Sequence, residues 1–219
     1  TGCATIANNG IYYSCSKLTT GSACAGAAAP LASQVQNPVA LLPTDFNNGI
    51  LVRLPSVPPD GLPLVGGILV LGIGTQPNNM PPTGVTTYNT DQFSGDIVTI
   101  FNGTNYSSII DSGSNGIFFT PPAGVLIRSC ADPSWFCPLS IMTLSATNKG
   151  ASGSPSGDVS FQIGNFTNLT NSTNKVFSDI GGPAPDLFDW GLPFYFGRSV
   201  FVGIDNMSSS VGTGPYFAY

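Results

Sequence analysis

The sequence contains no histidine and no glutamate, and only 8% of its 219 residues are charged, against roughly 25% in an average soluble domain. The absence of histidine excludes Ser-His-Asp and Cys-His catalysis, histidine metal sites and histidine pH switches. Six Lys and Arg stand against eleven Asp, so the chain has too few cations to neutralise a row of phosphates. We therefore expect no nucleic-acid partner, no bound metal and no cofactor.

Long apolar runs are also missing. The most apolar segment, residues 62–73, is too short to span a bilayer and is interrupted by proline and glycine. The chain has 27 Gly and 19 Pro, which argues against a helical bundle because these are the poorest helix formers. With 42% hydrophobic residues, the chain can still bury a sizeable core. These features predict an all-β chain with no membrane span.

Short strands with turn signals between them recur along the sequence. Asn102-Gly103, between two apolar runs, is the typical signal of a tight hairpin, and residues 31–37 could form one or two helical turns. The number and spacing of the strands favour a sandwich, a barrel or a multi-sheet lobe. The predicted strands are at 48–55, 66–74, 84–90, 96–103, 104–111, 116–122, 139–146 and 159–163.

The five cysteines predict an oxidising compartment. Cys15 and Cys24, and likewise Cys130 and Cys137, are spaced as local disulfides in Gly- and Pro-rich surroundings. Cys3 is left over, and in an exported protein it would bond another chain or remain a free thiol. The alternative is five buried free thiols. Because disulfides persist outside the cytoplasm, we expect a secreted or cell-surface protein.

The segment Asp111-Ser112-Gly113-Ser114 lies between apolar residues on both sides. A carboxylate is costly to bury unless donors satisfy it, and this turn supplies backbone N–H groups and two hydroxyls. Such an aspartate could share a proton with a second aspartate and polarise a water between them. The alternative is an Asx turn, in which the aspartate only caps its own backbone.

The other candidate residues receive structural interpretations. Asp179, Asp186 and Asp189 are expected to be solvated turn residues. The aromatic residues near the motif are expected to be core rather than substrate pocket: Phe118, Tyr195 and Phe196.

The Asp-Ser-Gly-Ser motif resembles the active-site signature of pepsin-like aspartic peptidases, which carry it once in each of two lobes. The similarity to the second lobe extends along the chain. NPVALLPTDFNNGILVRLPS (37–56) resembles the exit from the first lobe, and WGLPFYFGRSVFVGID (190–205) resembles the apolar-apolar-Gly element and closing strands. The resemblance implies a multi-sheet, all-β C-terminal lobe with few short helices. It also implies that Asp111 is catalytic and that Ser112 and Ser114 orient it. Gly113, which has no side chain, would let the backbone approach the carboxylate.

Several segments, including LGIGTQPNN, FDWGLPFYFGRSVF and GTGPYFAY, look like an uncharacterised family of exported bacterial proteins. In that family a first motif lies upstream, in a half that is absent from this chain. The resemblance implies a disulfide-bearing loop segment at 1–30 and the lobe at 31–219. It also implies a partner, which is the N-terminal half of the same precursor or another chain, and Cys3 would bond that partner.

Three functions follow as alternatives. The first is an aspartic endopeptidase in which Asp111 pairs with an aspartate of the other half to activate water. The second is an exported structural or adhesive protein, such as a surface or filament subunit, which self-associates through strand edges that lack charged gatekeeper residues. The third is a homodimer in which each chain supplies one Asp111.

Overall fold

The computed structural model describes residues 7–8, 10–18 and 21–219, and Cys3 lies outside them. The regular secondary structure in this part of the chain is mostly β-strand, which confirms the predicted all-β class. One α-helix, α1 (Phe166–Thr170), occurs there, with short 3-10 turns at Leu31–Ser33, Pro38–Leu41 and Leu192–Tyr195. The strands in chain order are β1 (Tyr13–Leu18), β2 (Gly21–Gly26), β3 (Gly49–Arg53), β4 (Ile68–Leu71), β5 (Thr87–Asn89), β6 (Ile97–Phe101), β7 (Thr104–Ile109), β8 (Ile117–Phe119), β9 (Met142–Lys149), β10 (Ser156–Ile163), β11 (Gly181–Gly182), β12 (Leu187–Asp189), β13 (Ser199–Gly203), β14 (Ser208–Ser209), β15 (Gly212–Thr213) and β16 (Tyr216–Ala218).

The larger sheet has seven strands in the order β10-β9-β6-β7-β12-β8-β11. The β6–β7 hairpin turns at Asn102 and Gly103, whose φ angles are 46° and 78°, and positive values at both positions are what the Asn-Gly pair predicts. Most of this sheet is antiparallel, but β12 runs parallel to β7. A strand from late in the sequence is thus inserted between β7 and β8, which come from consecutive segments.

The smaller sheet has five strands in the order β4-β3-β13-β16-β5. Its core is small, and residues such as Leu51 and Phe201 are fully buried in it. Asn48 fixes the adjoining loop, because its side chain accepts from the Ile73 N–H at 2.7 Å and donates to the Ile73 carbonyl at 3.0 Å. β4 is the terminal strand of this sheet.

Aromatic rings form the main core. Phe119 and Phe188 stack with centroids 4.9 Å apart, and Phe161 meets Trp190 edge to face at 5.2 Å. The indole N–H of Trp190 donates to Asn148 Oδ1 at 3.0 Å, so the one polar atom of this buried side chain is satisfied. The core therefore fixes Trp190, and with it the chain on either side.

Two disulfides are present, as the cysteine spacing predicts. Cys15 and Cys24 are bonded across the β1–β2 hairpin, and Cys130 and Cys137 close a short loop. The hairpin lies in the 1–30 segment, which we expected to be loop-like. No helix in the described part of the chain is long and apolar enough to cross a bilayer.

The sequence predicts a solvated turn residue at Asp179, and this prediction is wrong because the side chain is fully buried. Neither of its carboxylate oxygens makes a hydrogen bond with another described residue. Burial raises the pKa of this carboxyl, its own backbone N–H opposes that rise, and the charge of Asp60 adds to it. The folded protein therefore holds this proton more tightly than the unfolded chain does.

The Asp179→Asn variant should be more stable near neutral pH. Below the ordinary value of 3.8 the Asp179 carboxyl is protonated in both the folded and the unfolded states, so its ionisation costs no stability there. Stability is lost as pH rises from that value through the raised folded pKa. Urea unfolding near neutral pH should show a gain of about 1–3 kcal/mol, which disappears in acid. Asp158→Asn, at an exposed position, serves as the control and should not show this gain. An equal gain at all pH values would contradict this account.

Candidate functional site

Residues 110–116 form the loop between β7 and β8. In the sheet, β12 lies between these two strands and so adjoins the loop. β12 pairs with β7 through Asp189 opposite Ile109, and with β8 through Asp189 opposite Phe118. The residues that follow β12 therefore lie next to this loop.

Backbone hydrogen bonds continue this attachment beyond the sheet. The N–H of Trp190 donates to the Ile109 carbonyl at 3.0 Å, and that of Leu192 donates to the Ser114 carbonyl at 2.7 Å. Gly191 between them has φ of 52°, and a Cβ there would overlap the Gly116 carbonyl oxygen. Glycine is required at this point because the two backbones approach too closely for a side chain.

Asp111 stands half-buried in the loop, and both of its carboxylate oxygens accept hydrogen bonds. The Gly113 N–H donates to Oδ1 at 2.8 Å, and the Ser114 hydroxyl donates to Oδ2 at 3.0 Å. A Cβ at Gly113 would lie 3.1 Å from Asp111 Oδ1. The motif thus supplies one backbone donor and one side-chain donor to a single carboxylate, whereas Ser112 is exposed.

The Gly113–Asp111 bond is of the Asx-turn type, the alternative that the sequence left open. Asp91 and Asp132 make the same kind of bond, to the N–H groups of Phe93 and Ser134. Backbone N–H groups lower the pKa of both exposed carboxyls: Ser94 first and then Phe93 act on Asp91, and Ser134 acts on Asp132. Asp111 differs from them because its turn is anchored in the main sheet by an inserted strand.

Tyr195 lies beneath the loop and supports its first residue. Its side chain is buried, and its hydroxyl donates to the Ile110 carbonyl at 3.0 Å. Burial raises the pKa of the phenol, the charge of Asp111 adds to that rise, and the Ser112 side chain opposes it. The expectation that Tyr195 is a core residue agrees with this burial.

For Asp189, which adjoins the Asp111 loop, the expectation from the sequence is wrong. We expected a solvated turn residue, but Asp189 is only 6% exposed. Its Oδ1 accepts from the Gly191 N–H at 2.9 Å. Burial raises the pKa of its carboxyl, hydrogen bonds from Ser114 and Gly191 oppose that rise, and the charge of Asp111 adds to it. Its position between Phe188 and Trp190, inside an apolar run, is the feature of the sequence that indicates burial.

A cavity of about 330 Å³ adjoins the far side of the loop at Asn115. Trp135 and Phe166 form a stacked pair in its wall, with centroids 4.2 Å apart. Phe196 also lines this cavity, whereas Phe118 packs 5.6 Å from the Trp135 ring. The described residues contain no group of three or more Cys and Asp side chains that could hold a metal ion.

Comparison with known proteins gives one family and no function. The model of a family described as "Protein of unknown function (DUF3443)" matches residues 1–219. No curated protein and no solved structure matches the chain.

Loss of the Tyr195 hydroxyl should loosen the Asp111 loop. Tyr195→Phe leaves the Ile110 carbonyl without its donor, which should lower the free energy of unfolding by about 1–3 kcal/mol. It should also speed hydrogen exchange at the Gly113 amide. Tyr106→Phe is the matched control, because the Tyr106 hydroxyl donates to the Thr120 carbonyl at 2.8 Å, away from the loop. Equal exchange at Gly113 in both variants would contradict a specific supporting role for Tyr195.

Proposed function

The chain belongs to the DUF3443 family, and for this member we propose the role of a C-terminal lobe of an aspartic-peptidase-like protein. In this role Asp111 pairs with an aspartate of another polypeptide segment to activate water for peptide hydrolysis. The observation that carries the proposal is the setting of Asp111, whose carboxylate is held by two donors on a loop that an inserted strand anchors. The motif and its apolar flanks resemble the pepsin-like signature, which adds support.

The chemistry of this proposal needs two carboxylates that share one proton. Two such groups at short range cannot both ionise, so the ionised one acts as base and the protonated one as acid. Asp111 suits this role because its donors fix the orientation of both oxygens while the side chain stays half-exposed. Preorganised donors of this kind need no rearrangement during reaction.

The second carboxylate of the pair has to come from outside the described chain. Asp189 is the neighbouring carboxyl, but its burial beneath the loop prevents it from presenting an oxygen to a substrate. Asp91 and Asp132 sit in exposed turns of their own. We therefore propose an N-terminal half or a second chain as the partner. The two disulfides are compatible with an extracytoplasmic location for this assembly.

The Asp111→Asn variant tests this function in the assembled protein. Removing an acid–base group should reduce peptide hydrolysis in acid by about 10²-fold or more. Asp91→Asn is the control, since it changes an aspartate with the same backbone contact in a solvated turn. Intact mass before and after reduction would identify a disulfide-linked partner chain. Hydrolysis at the wild-type rate by Asp111→Asn would overturn the proposal.

A second candidate function is self-assembly at the cell surface. The observation that favours it is the edge strand β4, where Ile68 and Leu69 are 57% and 61% exposed and no residue is charged. Exposed apolar edges without charged gatekeepers pair readily with other strands. We propose that a second copy of the chain pairs there if the protein has a structural role.

A charge on β4 should prevent that association. Leu69→Lys places an ammonium group on the edge strand and should convert polymers to monomers in light scattering or sedimentation. Leu64→Lys is the control, because Leu64 is 81% exposed but lies outside the strand. Polymers that survive Leu69→Lys unchanged, or a wild-type protein that is monomeric throughout, would refute assembly through this edge.

A further inference from the structure

Arg198 is a half-buried cation that has no carboxylate partner in the described part of the chain. Its Nη1 donates to the Phe194 carbonyl at 2.6 Å, and its guanidinium carbon lies 4.6 Å from the centroid of the Phe194 ring. These two contacts hold the guanidinium in place and use one of its five N–H donors. The chain has eleven Asp against six Lys and Arg, so a shortage of acids does not explain why this cation is unpaired.

The remaining donors of Arg198 stand beside open space. Arg198 lines a cavity of about 280 Å³. Among the described residues, the buried side-chain atoms without a hydrogen-bond partner belong to Thr90 and Asp179, so the spare N–H groups of Arg198 are accessible. The other polar side chains that line the cavity are hydroxyls and one amide: Ser56, Thr143, Ser160, Gln162 and Ser178.

No anion of the described chain compensates the charge in this cavity. Its lining includes no described aspartate. Burial lowers the pKa of the Arg198 guanidinium, and the titratable group that opposes this lowering is the Tyr219 phenol. Burial raises the pKa of that phenol, so Tyr219 is neutral near neutral pH. A half-buried guanidinium attracts an anion more strongly than a fully solvated one does, because the local dielectric constant is lower.

We propose that the Arg198 cavity is a binding site for a carboxylate, which the guanidinium holds through parallel N–H···O bonds. The planar fork of an arginine matches the two oxygens of a carboxylate. One cation balances one negative charge, whereas a doubly charged phosphate or sulfate would leave a charge uncompensated in a half-buried site. The hydroxyls of Ser56 and Ser160 line the same space and can donate to an anion.

The size of the cavity limits what can carry the carboxylate. Its volume of about 280 Å³ lies just below the roughly 300–1,000 Å³ of cavities that take drug-sized ligands. A short organic acid or the carboxyl end of a polypeptide fits this description. None of residues 110–116 lines the cavity, so the proposal does not depend on the function proposed for Asp111.

The alternative is that Arg198 only caps the 3-10 turn at Leu192–Tyr195. Basic side chains often bond the last carbonyls of a helical segment, and the contact with the Phe194 carbonyl is of this kind. A cap is complete with that contact alone and has no need of a ligand. The two interpretations therefore differ in whether Arg198 responds to a carboxylate in solution.

An NMR titration with sodium acetate tests the proposal at constant ionic strength. We expect a saturable shift of the Arg198 Nε–H signal and of the Gln162 side-chain amide. Acetamide, which has the same shape and no charge, should give no such shift, and sulfate should bind more weakly than acetate. No saturable shift with acetate, or an equal response to acetamide or sulfate, would refute a carboxylate site.

An arginine variant and a matched control locate the binding. Arg198→Gln should weaken acetate binding at least about tenfold, because it removes the charged hydrogen bonds. Arg53→Gln is the control, since Arg53 is exposed and its Nε donates to Ser199 Oγ at 3.1 Å. This control should bind acetate as the wild type does. Equal affinity in the two variants would place the binding elsewhere and overturn the proposal.

A second variant keeps Arg198 and its contacts with Phe194 intact. Gln162→Glu places a carboxylate of the chain itself on the cavity wall, where it should pair with the guanidinium and compete with acetate. Gln92→Glu adds the same charge at an exposed position outside the cavity and should leave acetate binding unchanged. Undiminished acetate binding in Gln162→Glu would contradict the proposal, even if Arg198→Gln does not fold.

A short peptide distinguishes the two sources of the carboxylate. Trialanine with a free C-terminus should bind at the Arg198 cavity, and its C-terminal amide should not. Tighter binding of the free peptide than of acetate would identify a polypeptide terminus as the ligand, whereas equal or weaker binding would identify a small organic acid. Equal binding of the free and the amidated peptide at this cavity would count against recognition of the carboxylate.

Discussion

The arrangement around Asp111 depends on the backbone hydrogen bonds that place β12 between β7 and β8. The strands on either side of the loop would otherwise be free to separate, and the loop would be an ordinary surface turn. With β12 in place, the N–H groups of Trp190 and Leu192 bond the loop at both ends. The aromatic core then secures β12, because Phe188 stacks on Phe119 and Trp190 is buried beside them. Packing in the aromatic core therefore determines where the Asp111 carboxylate lies.

The scarcity of charge gives this site its chemical character. Among the residues that the structure describes, no lysine or arginine donates to Asp111, and its two donors are a backbone N–H and a hydroxyl. These neutral donors orient the carboxylate without placing a fixed positive charge beside it. The same scarcity explains why Asp179 and Asp189 have raised pKa values. No cation in the described chain offsets the burial of either carboxyl, and burial is the main cause of the raised pKa in both cases.

Local features were predictable from the sequence, and those that depend on contacts between distant residues were not. The Asn102-Gly103 turn, the alternating strands and both disulfides follow from short-range patterns. The pairing of β12 with β7 joins residues about eighty positions apart, such as Leu187 and Ser107, and no short pattern encodes it. Asp189 was therefore interpreted as a solvated turn residue, although an aspartate flanked by Phe188 and Trp190 in an apolar run indicates burial. The Asp111 motif supplies its own donors from neighbouring residues, whereas the residue that adjoins it, Asp189, comes from a strand far along the chain.

The burial of Asp189 also bears on why an aspartate stands at this position. An apolar side chain would pack there without desolvating a carboxyl, so the carboxyl costs stability that the core gains elsewhere. The carboxyl has a definite backbone partner, because its Oδ1 accepts from the Gly191 N–H at 2.9 Å. Gly191 is also the residue at which the two backbones approach too closely for a side chain. Asp189 therefore fixes the backbone between the Trp190 and Leu192 hydrogen bonds to the loop, and its burial is the cost of that contact.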